Sequence, residues 1–455
     1  METRIIGIDL AVTAQHKAVV LDQGRNEFVG PVYRFGTQPA ELEQLLNRAR
    51  AGVSGPVKVV AVLEATGMAW YPVSVYLDQR GVQVYRLNGR MTADLRQVYW
   101  RHASSDCIDG RVLTRLYQLA PERLHRLKPP SGDYLALQRA CRELDRQRQL
   151  IISAKNRLLA YDQLAWNGLS HLMPGRARAW VRQQWYDPWQ VCQAGLAHLE
   201  AAWRAVAPEQ SPDTAWLKPW LVRAELMTQL FGSPAMLNYP ALQQTVRREL
   251  ERLAQAEQAA DQLRLTLIRP LYWKLHPSRV LDSLIGVGQD SAAVYLAFIQ
   301  DIDRFPSIAQ FRNWTGIVPY SHQSGHLQAS GQPITQAGPD LVKSTLYLNA
   351  NTARLWDPQI AKIYHTQVFK YGKHHNQALC ACASHLANRI YAVLKRNEPY
   401  ILQDVDGAPV TKSQARQICR ETYHVPDQVR TRTNARVRQA RAEQRTERQW
   451  LKRQP

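Results

Sequence analysis

Apolar positions in the N-terminal part of the chain follow two patterns, short continuous runs and a helical spacing. Runs of four to nine apolar residues bounded by turn residues predict strands, and leucines three or four apart predict a helix. The predicted strands span 4–11, 16–22, 27–35, 57–63 and 82–87, and the predicted helices span 39–50 and 69–79. Three strands followed by alternating helices and strands predict an α/β domain with a mixed sheet.

From residue 104 onward the pattern is largely helical, and two segments carry apolar residues seven apart. The first set is Leu137, Leu144, Ile151 and Leu158, and the second is Val246, Leu253, Ala260 and Leu267. Such heptads predict an antiparallel hairpin within the chain or a coiled coil between chains. An ordinary helical bundle has the same periodicity, so the pattern alone leaves all three open.

Between the two heptad segments, residues 163–240 are rich in tryptophan. Arg176, Arg178 and Arg182 lie among these aromatic residues, so the rings could stack on splayed nucleotides. The interpretation we favour is that they form the core of a small helical insertion. The tryptophans are Trp166, Trp180, Trp185, Trp189, Trp203, Trp216 and Trp220.

A further unit begins near Pro277. Gly286 and Gly288 follow an apolar pair and precede a helix predicted over 291–299, a pattern typical of a helix-hairpin-helix turn that contacts phosphate. A plain helix-capping loop is the alternative. Another helix is predicted from 308, followed by a polar loop over 316–338 and mainly helical segments over 341–352 and 377–395.

These shifts in pattern predict four regions. Residues 129–132 read Pro-Pro-Ser-Gly, which is a clear break. The predicted regions are a catalytic α/β domain (1–128), coiled-coil helices with the tryptophan-rich insertion (129–275), a mainly α-helical domain (276–400) and a basic tail (401–455).

Charge points to a polyanionic partner. The 455 residues carry a net charge of +20, and residues 411–455 contain 12 Lys and Arg against 4 Asp and Glu. Nucleic acid is the expected partner of such a chain. Candidate contact residues, apart from the two glycines above, are Gly325, Lys343, Lys373, Arg430, Arg432, Arg436 and Arg438.

Cysteine usage and hydropathy indicate the cellular compartment in which the protein is expected. The six cysteines form no metal-binding pair and suggest a reducing cytoplasm. No signal pattern and no long uncharged apolar run occurs, so we expect a soluble, intracellular protein without membrane contact.

Four acidic residues are the strongest candidates for chemistry. Asp9 ends the first strand, Glu64 ends the central strand, and Asp106 and Asp109 lie three apart at the start of a helix, so they share a face. Four converging carboxylates repel one another unless divalent cations lie among them, and oxygen ligands suit Mg²⁺ or Mn²⁺. Alone, each is more simply a turn or capping residue.

A second candidate lies in the polar loop. Ser324 precedes Gly325 there, but the residues alone do not rank it above Ser321 or Ser330, and a serine nucleophile needs a metal or base to activate it.

Taken together, these motifs resemble a known family. The strand order is similar to the RNase H fold, and the acids occur as Gly-Ile-Asp9, Leu-Glu64-Ala-Thr-Gly and Asp106-Cys-Ile-Asp109-Gly. The C-terminal half has Ile-Gly286-Val-Gly288, Ile-Asp-Arg-Phe-Pro at 302–306, Gln-Ser324-Gly325 and Tyr-Gly-Lys373. This order resembles the DEDD-type insertion-sequence transposases, the RNA-guided bridge recombinases.

The resemblance implies a RuvC-like N-terminal domain whose acids bind Mg²⁺, and a serine, Ser324, that forms a covalent phosphoserine link to DNA. It also implies a structured guide RNA, donor and target DNA, a dimer or tetramer with active sites shared between protomers, and a prokaryotic, nucleoid-associated location. Three departures from the family pattern are the loop after Gly325, which lacks Arg and Lys, Gly110 in place of the usual alanine, and the tryptophan-rich insertion with the long basic tail, which exceed the compact pattern.

Two other functions fit the same residues. One is a metal-dependent nuclease or junction resolvase that hydrolyses DNA without a covalent step. The other is a non-catalytic nucleic-acid-binding protein in which the acids only cap helices.

Overall fold

A computed structural model of the chain describes most of its residues. The described residues are 2–64, 67–87, 106–124, 126–207, 215–319, 323–324, 327–328, 333–335 and 337–451. Within them only the backbone is described for residues 106–109, 123, 323–324, 327–328, 440–441 and 443–451. The chain forms two compact units, Met1–Ser131 and Gly132–Pro455.

The first unit contains a mixed six-stranded sheet. Its strands are β1 (Glu2–Asp9), β2 (His16–Asp22), β3 (Glu27–Phe28), β4 (Tyr33–Phe35), β5 (Val57–Glu64) and β6 (Gln83–Leu87). The order is β3-β2-β1-β5-β6, with β4 also paired to β2. β1 is antiparallel to β2 and parallel to β5, which is parallel to β6. The mixed α/β architecture predicted for this part of the chain is therefore confirmed.

Helices cover both faces of this sheet, because β1 and β5 carry apolar side chains on both sides. One face packs on α1 (Pro39–Arg50) and α2 (Trp70–Asp78), and the other on α3 (Asp106–Leu119). The predicted strand 27–35 is wrong in one respect. It is two short strands, β3 and β4, because a polar segment containing Gly30 at φ +69° separates them.

Within the described residues, the second unit is helical apart from one short β-ladder and two isolated β-bridges. Its helices are α4 (Gly132–Ala165), α5 (Leu169–Leu172), α6 (Gly175–Gln184), α7 (Pro188–Val206), α8 (Leu217–Phe231), α9 (Tyr239–Leu263), α10 (Arg269–Leu275), α11 (Gln289–Ile299), α12 (Ile308–Thr315), α13 (Asp340–Ala353), α14 (Pro358–Phe369), α15 (His375–Arg396), α16 (Lys412–Glu421) and α17 (Asp427–Leu451). The ladder pairs β7 (Gln323–Ser324) with β8 (Leu327–Gln328).

The two heptad segments pair with each other as an antiparallel hairpin. α4 packs along α9, and Lys155 pairs with Glu257 at 2.9 Å while Arg157 pairs with Glu249 at 2.9 Å. As the residue number increases along α4, the number of its ion-pair partner decreases along α9, so the two helices are antiparallel. Of the three arrangements that fit the heptads, the structure thus contains the hairpin within the chain.

A π-helical turn at Arg264–Ile268 changes the register of the second heptad. A π-turn adds one residue to the helical repeat, so the buried position after Ala260 moves from residue 267 to residue 268. Ile268 is 1% exposed and Leu267 is 45% exposed. The interpretation of Leu267 as a continuation of the buried stripe is therefore wrong.

Truncating these two neighbours should give unequal results. Ile268→Ala removes a buried side chain and should cost about 2–4 kcal/mol, whereas Leu267→Ala should cost less than about 0.5 kcal/mol. Hydrogen exchange of the peptides from α4 and α9 measures this local stability. Equal losses for both variants would contradict the register shift.

The tryptophan-rich segment forms its own core, as the favoured interpretation predicts. Trp166, Trp180, Trp203, Trp216 and Trp220 are at most 6% exposed, and they pack together with aliphatic residues of α6 to α9. Most of the rings contact one another edge-on or tilted, at 5.2–6.2 Å between centroids. Rings buried in this way are not exposed for stacking on bases.

The C-terminal part has more helical structure than the sequence patterns predict. Helix α14 falls in a segment for which we predicted no helix, although Asp357 caps it by accepting a hydrogen bond from Ile360 N and Pro358 begins it. The basic tail contains two helices, and α16 is anchored by buried Ala415 and Cys419. No helix in the described ranges is long and apolar enough to cross a bilayer.

Candidate active site

Asp9 and Glu64 end two neighbouring parallel strands at the same level. Ile8 of β1 pairs with Leu63 of β5, so Asp9 and Glu64 are the next pair in register. Along β1, Ile5 belongs to the core under α3 and Ile6 to the opposite core; Gly7 and Asp9 therefore share the α3 side of the sheet. The same alternation puts Glu64 on that side, because Val60 and Val62 also belong to the core under α3. Both acids are half-buried.

Helix α3 crosses β1 at a glycine–glycine contact. A Cβ on Gly7 would lie 2.0 Å from the carbonyl oxygen of Gly110, and a Cβ on Gly110 would lie 3.2 Å from Cγ2 of Val19. Leu113 and Tyr117, further along α3, pack with Ile5, so the helix runs antiparallel to β1. Its first turn therefore lies toward the end of β1 that carries Asp9.

Asp106 and Asp109 lie in this first turn of α3. Their side chains fall outside the described residues, so their part in a metal site stays a prediction. Among the side chains that the structure describes, no group of three or more His, Cys, Asp and Glu could hold a metal ion. The described portion of the candidate site is thus the pair Asp9 and Glu64.

Lys17 is a residue at this edge that the sequence patterns did not single out. It lies directly opposite Asp9 in the antiparallel pair of β1 and β2. Directly opposed residues project to the same face, and opposite charges there attract. Lys17 thus supplies a cation beside Asp9. The alternation of side chains along β2 could have identified Lys17, because Lys17, Val19 and Leu21 share one face of that strand.

Gly110 contributes to this contact chiefly through its backbone carbonyl oxygen, which lies against Gly7, so an alanine at position 110 is compatible with the close approach.

Adding a methyl group at Gly7 should therefore separate the helix from the strand. Gly7→Ala places Cβ against a backbone oxygen that a side-chain rotation cannot relieve, so it should cost about 3 kcal/mol and move α3 away from β1. Gly110→Ala is the matched control. It meets a valine methyl group that can move, and it gains about 1 kcal/mol of helix propensity. Hydrogen exchange in β1 and α3 should increase in the first variant only; similar protection in both would contradict this contact.

Ser324 lies in the short antiparallel ladder of β7 and β8. Gln323 pairs with Gln328 and Ser324 pairs with Leu327, while Pro319 bridges Ile334 further back. Outside this ladder, a Cβ on Gly316 would lie 1.9 Å from Ala337 O, and one on Gly338 would lie 1.8 Å from Trp314 O. These two glycines, both with φ of +70°, thus allow the end of α12 to touch the backbone at 337–338. The side chain of Ser324 and all of Gly325 are outside the described residues.

The Gly286 and Gly288 loop packs mainly inside the unit. Gly286 has φ +83°, and a Cβ there would lie 2.6 Å from Asn349 O of α13. Asn349 donates a hydrogen bond to Gly286 O and accepts one from Tyr295 Oη. Gly288 precedes α11, whose first turn holds Asp290 paired with Arg148 and Arg264. An acid already occupies this helix start, so the helix-capping alternative gains support.

The basic candidates lie in different surroundings. The side chain of Lys343 is 12% exposed and pairs with Asp340, and Arg430 pairs with Asp427. Lys373 is half-buried, and its backbone N–H donates to Gln367 O. Arg432, Arg436 and Arg438 are exposed on α17. These three arginines are the most accessible of the set.

Comparisons with known proteins agree with this arrangement. Residues 6–163 match the model of the DEDD transposases of the IS110 type, described as "Transposase". Residues 278–365 match the model described as "Transposase IS116/IS110/IS902 family". The "Insertion element IS110 uncharacterized 43.6 kDa protein" of Streptomyces coelicolor is 31% identical over 121 residues. That stretch is 26% of this chain and spans 29% of the relative's length.

The first match contains β1, β5 and α3 with all four acids, and the second contains the Gly286 loop and Ser324. Both halves of the pattern, in the same order, thus occur in one chain. The chain belongs to the IS110 family of transposases.

Proposed function

We propose that this protein is an RNA-guided DNA recombinase that cuts and rejoins DNA. The observation that carries the proposal is the register of Asp9 with Glu64 on the α3 side of the sheet. The first turn of α3, with Asp106 and Asp109, is directed to the same edge by the Gly7–Gly110 contact. The strand order and this edge are those expected of an RNase H-like, RuvC-like domain within residues 1–128.

A divalent cation fits this donor set. Asp9 and Glu64 offer hard oxygen ligands at one partly accessible edge, and Mg²⁺ or Mn²⁺ prefers such ligands. Asp9, Glu64, Asp106 and Asp109 are the residues that would hold it. When bound, the cation stabilises negative charge on the oxygens of a reacting phosphate. The four acids set its position, and Lys17 adds a cation that would attract the DNA backbone.

In this proposal Ser324 supplies the nucleophile. Its Oγ forms a bond to a DNA phosphorus, the P–O bond to the neighbouring deoxyribose breaks, and the serine proton ends on the departing oxygen. A hydroxyl of the exchanged strand then displaces the serine, which regains its proton. Its place in the second segment that matches the family, on the paired backbone of β7 and β8, supports this role.

The guide RNA and the assembly belong to the same proposal. The net charge of +20 and the exposed arginines of α17 are suited to holding RNA together with donor and target DNA. Base pairing with a structured guide would supply sequence recognition. The proposal also includes a dimer or tetramer in which the serine of one protomer acts together with the acids of another. The proposed regions 129–275, 276–400 and 401–455 would hold this assembly together.

A metal-dependent nuclease or junction resolvase is the second candidate. The acidic edge of the first unit favours it, since four carboxylates with divalent cations suffice for hydrolysis without a serine.

A reconstitution experiment tests the proposed function. The protein is purified with its RNA and incubated with Mg²⁺ and DNA carrying the element's junction and target. Recombinant junctions, lost after ribonuclease treatment or EDTA, are the expected result. Cleavage without rejoining, insensitive to ribonuclease, would support the nuclease instead.

A further inference from the structure

A small cleft in the second unit combines arginines with aromatic rings. It lies between the end of α13, the start of α14, α16 and the turn that leads into α17, and its volume is about 150 Å³. Its lining includes three arginines and four aromatic rings but no carboxylate. These residues are Arg354, Arg416, Arg420, Trp356, Tyr364, Tyr423 and His424.

Aromatic rings and an amide, not carboxylates, hold two of the three guanidinium groups. Arg416 lies over the ring of Trp356 at 4.2 Å, and Arg354 lies over Tyr364 at 4.6 Å while its Nε donates to Asn351 Oδ1 at 2.9 Å. In the described part of the chain, no carboxylate forms an ion pair with Arg354, Arg416 or Arg420. Cations stacked in this way keep N–H donors directed away from the ring and available to an anion.

Arg354 is partly buried. Burial lowers the pKa of its guanidinium group because the charged form loses contact with water, and of its neighbours Arg430 lowers the pKa while Tyr364 and Asp427 raise it. A bound phosphate would offset this loss of water contact with charge-assisted hydrogen bonds.

The size and surroundings of the cleft narrow the class of ligand. Its volume is well below the roughly 300–1,000 Å³ of a typical small-molecule pocket, so it has room for a phosphate group or a single base, with the rest of a nucleotide outside the cleft. α17 begins at the cleft and carries the exposed Arg432, Arg436 and Arg438 onward. A basic track that continues from an aromatic cleft is suited to a strand with further phosphates.

We propose that this cleft binds an unpaired nucleotide of a nucleic-acid strand. Arg354, Arg416 and Arg420 hold its phosphate, and its base stacks against Trp356 or Tyr423. Arg354, Trp356 and Tyr364 lie within the second segment that matches the transposase family, whereas Arg416, Arg420 and Tyr423 lie outside both segments. The inference rests on the proposed function only for the class of partner, because binding here requires no cleavage.

The test measures binding by the full chain after nucleic acid has been removed at high salt. Fluorescence anisotropy is recorded with single-stranded RNA, single-stranded DNA and duplex DNA of about 12 nucleotides, within the usual site sizes. Arg416→Gln with Arg420→Gln should weaken single-strand binding about tenfold or more and reduce the salt slope by about 2. Arg146→Gln with Arg252→Gln is the control, since it removes the same charge at exposed positions on α4 and α9.

A second variant tests the stacking. Trp356→Leu should weaken single-strand binding about 5- to 100-fold with an unchanged salt slope, whereas Trp273→Leu on α10, where the ring is 46% exposed, should not. The RNA and DNA arms identify which strand the cleft prefers. The proposal is overturned if both cleft variants bind like their controls, or if duplex DNA binds as tightly as single strands and is weakened equally. A protein that cleaves no DNA but shows these losses would refute the proposed function alone.

Discussion

Replacing Asp9 with asparagine should abolish metal-dependent DNA cleavage, with a loss of roughly 10³-fold or more, which corresponds to about 4 kcal/mol of transition-state stabilisation. Asparagine keeps the shape of the side chain but removes a negative ligand from the edge where Asp9 and Glu64 lie in register. Strand cleavage of labelled DNA under saturating Mg²⁺ measures the effect. The double variant Asp9→Asn with Glu64→Gln should cleave DNA no more than about tenfold more slowly than Asp9→Asn alone, because the residues of one site act as a unit.

Asp78→Asn provides the control for this prediction. Asp78 ends α2 in the same unit and pairs with Arg126 on the surface, so its replacement should leave cleavage within about twofold. A binding measurement separates metal loss from misfolding. Mg²⁺ should raise the melting temperature of the wild type and of Asp78→Asn, but not that of Asp9→Asn. Normal cleavage by Asp9→Asn would favour the non-catalytic interpretation, in which the acids only cap helices.

Replacing Ser324 with alanine should remove the covalent protein–DNA adduct while leaving metal binding intact. Alanine lacks the Oγ that forms the bond to phosphorus, and the paired backbone of β7 and β8 tolerates it. The adduct is trapped by denaturing the reaction and is detected with labelled donor DNA by gel electrophoresis. We expect a loss of at least about 100-fold in adduct yield.

Ser321→Ala and Ser330→Ala are the matched controls, because both serines lie in the same loop and the sequence alone did not separate them from Ser324. Each should form the adduct at nearly the wild-type level. An unchanged adduct in Ser324→Ala, with loss in one control, would move the nucleophile to that serine. Cleavage without any adduct in all variants, including the wild type, would indicate the hydrolytic nuclease.

The sheet of the first unit was predictable because its cues are local. Continuous apolar runs predicted β1 and β5, which are buried on both faces. The predicted boundaries of these two strands differ from those in the structure by at most two residues. The neighbouring positions of Asp9 and Glu64 followed from the resemblance to the RNase H strand order. The pairing of Gly7 with Gly110 did not, since a close approach between a strand and a distant helix leaves no periodic signal.

The second unit shows where periodicity alone fails. A heptad could be extended to Leu267, yet the π-turn buries Ile268 instead, and nothing in the residue pattern marks an added residue in a helical repeat. Helix α14 carries the usual start, Asp357 followed by Pro358, and buries Ile360, Tyr364 and Val368 at helical spacing, so its local cues were present and we missed them. The arginine cleft joins α13, α14 and α16, so its residues are clustered only after folding.

The most direct test of the metal site is to locate the ion. Crystals of the protein soaked in Mn²⁺ and measured at the manganese absorption edge reveal the ion by its anomalous signal. We expect a peak between the carboxylates of Asp9 and Glu64, within the roughly 2.0–2.2 Å of an oxygen ligand to a small divalent cation, and none there in Asp9→Asn crystals. An edge of β1 and β5 that stays empty in the wild type, with manganese bound elsewhere or not at all, would contradict the account.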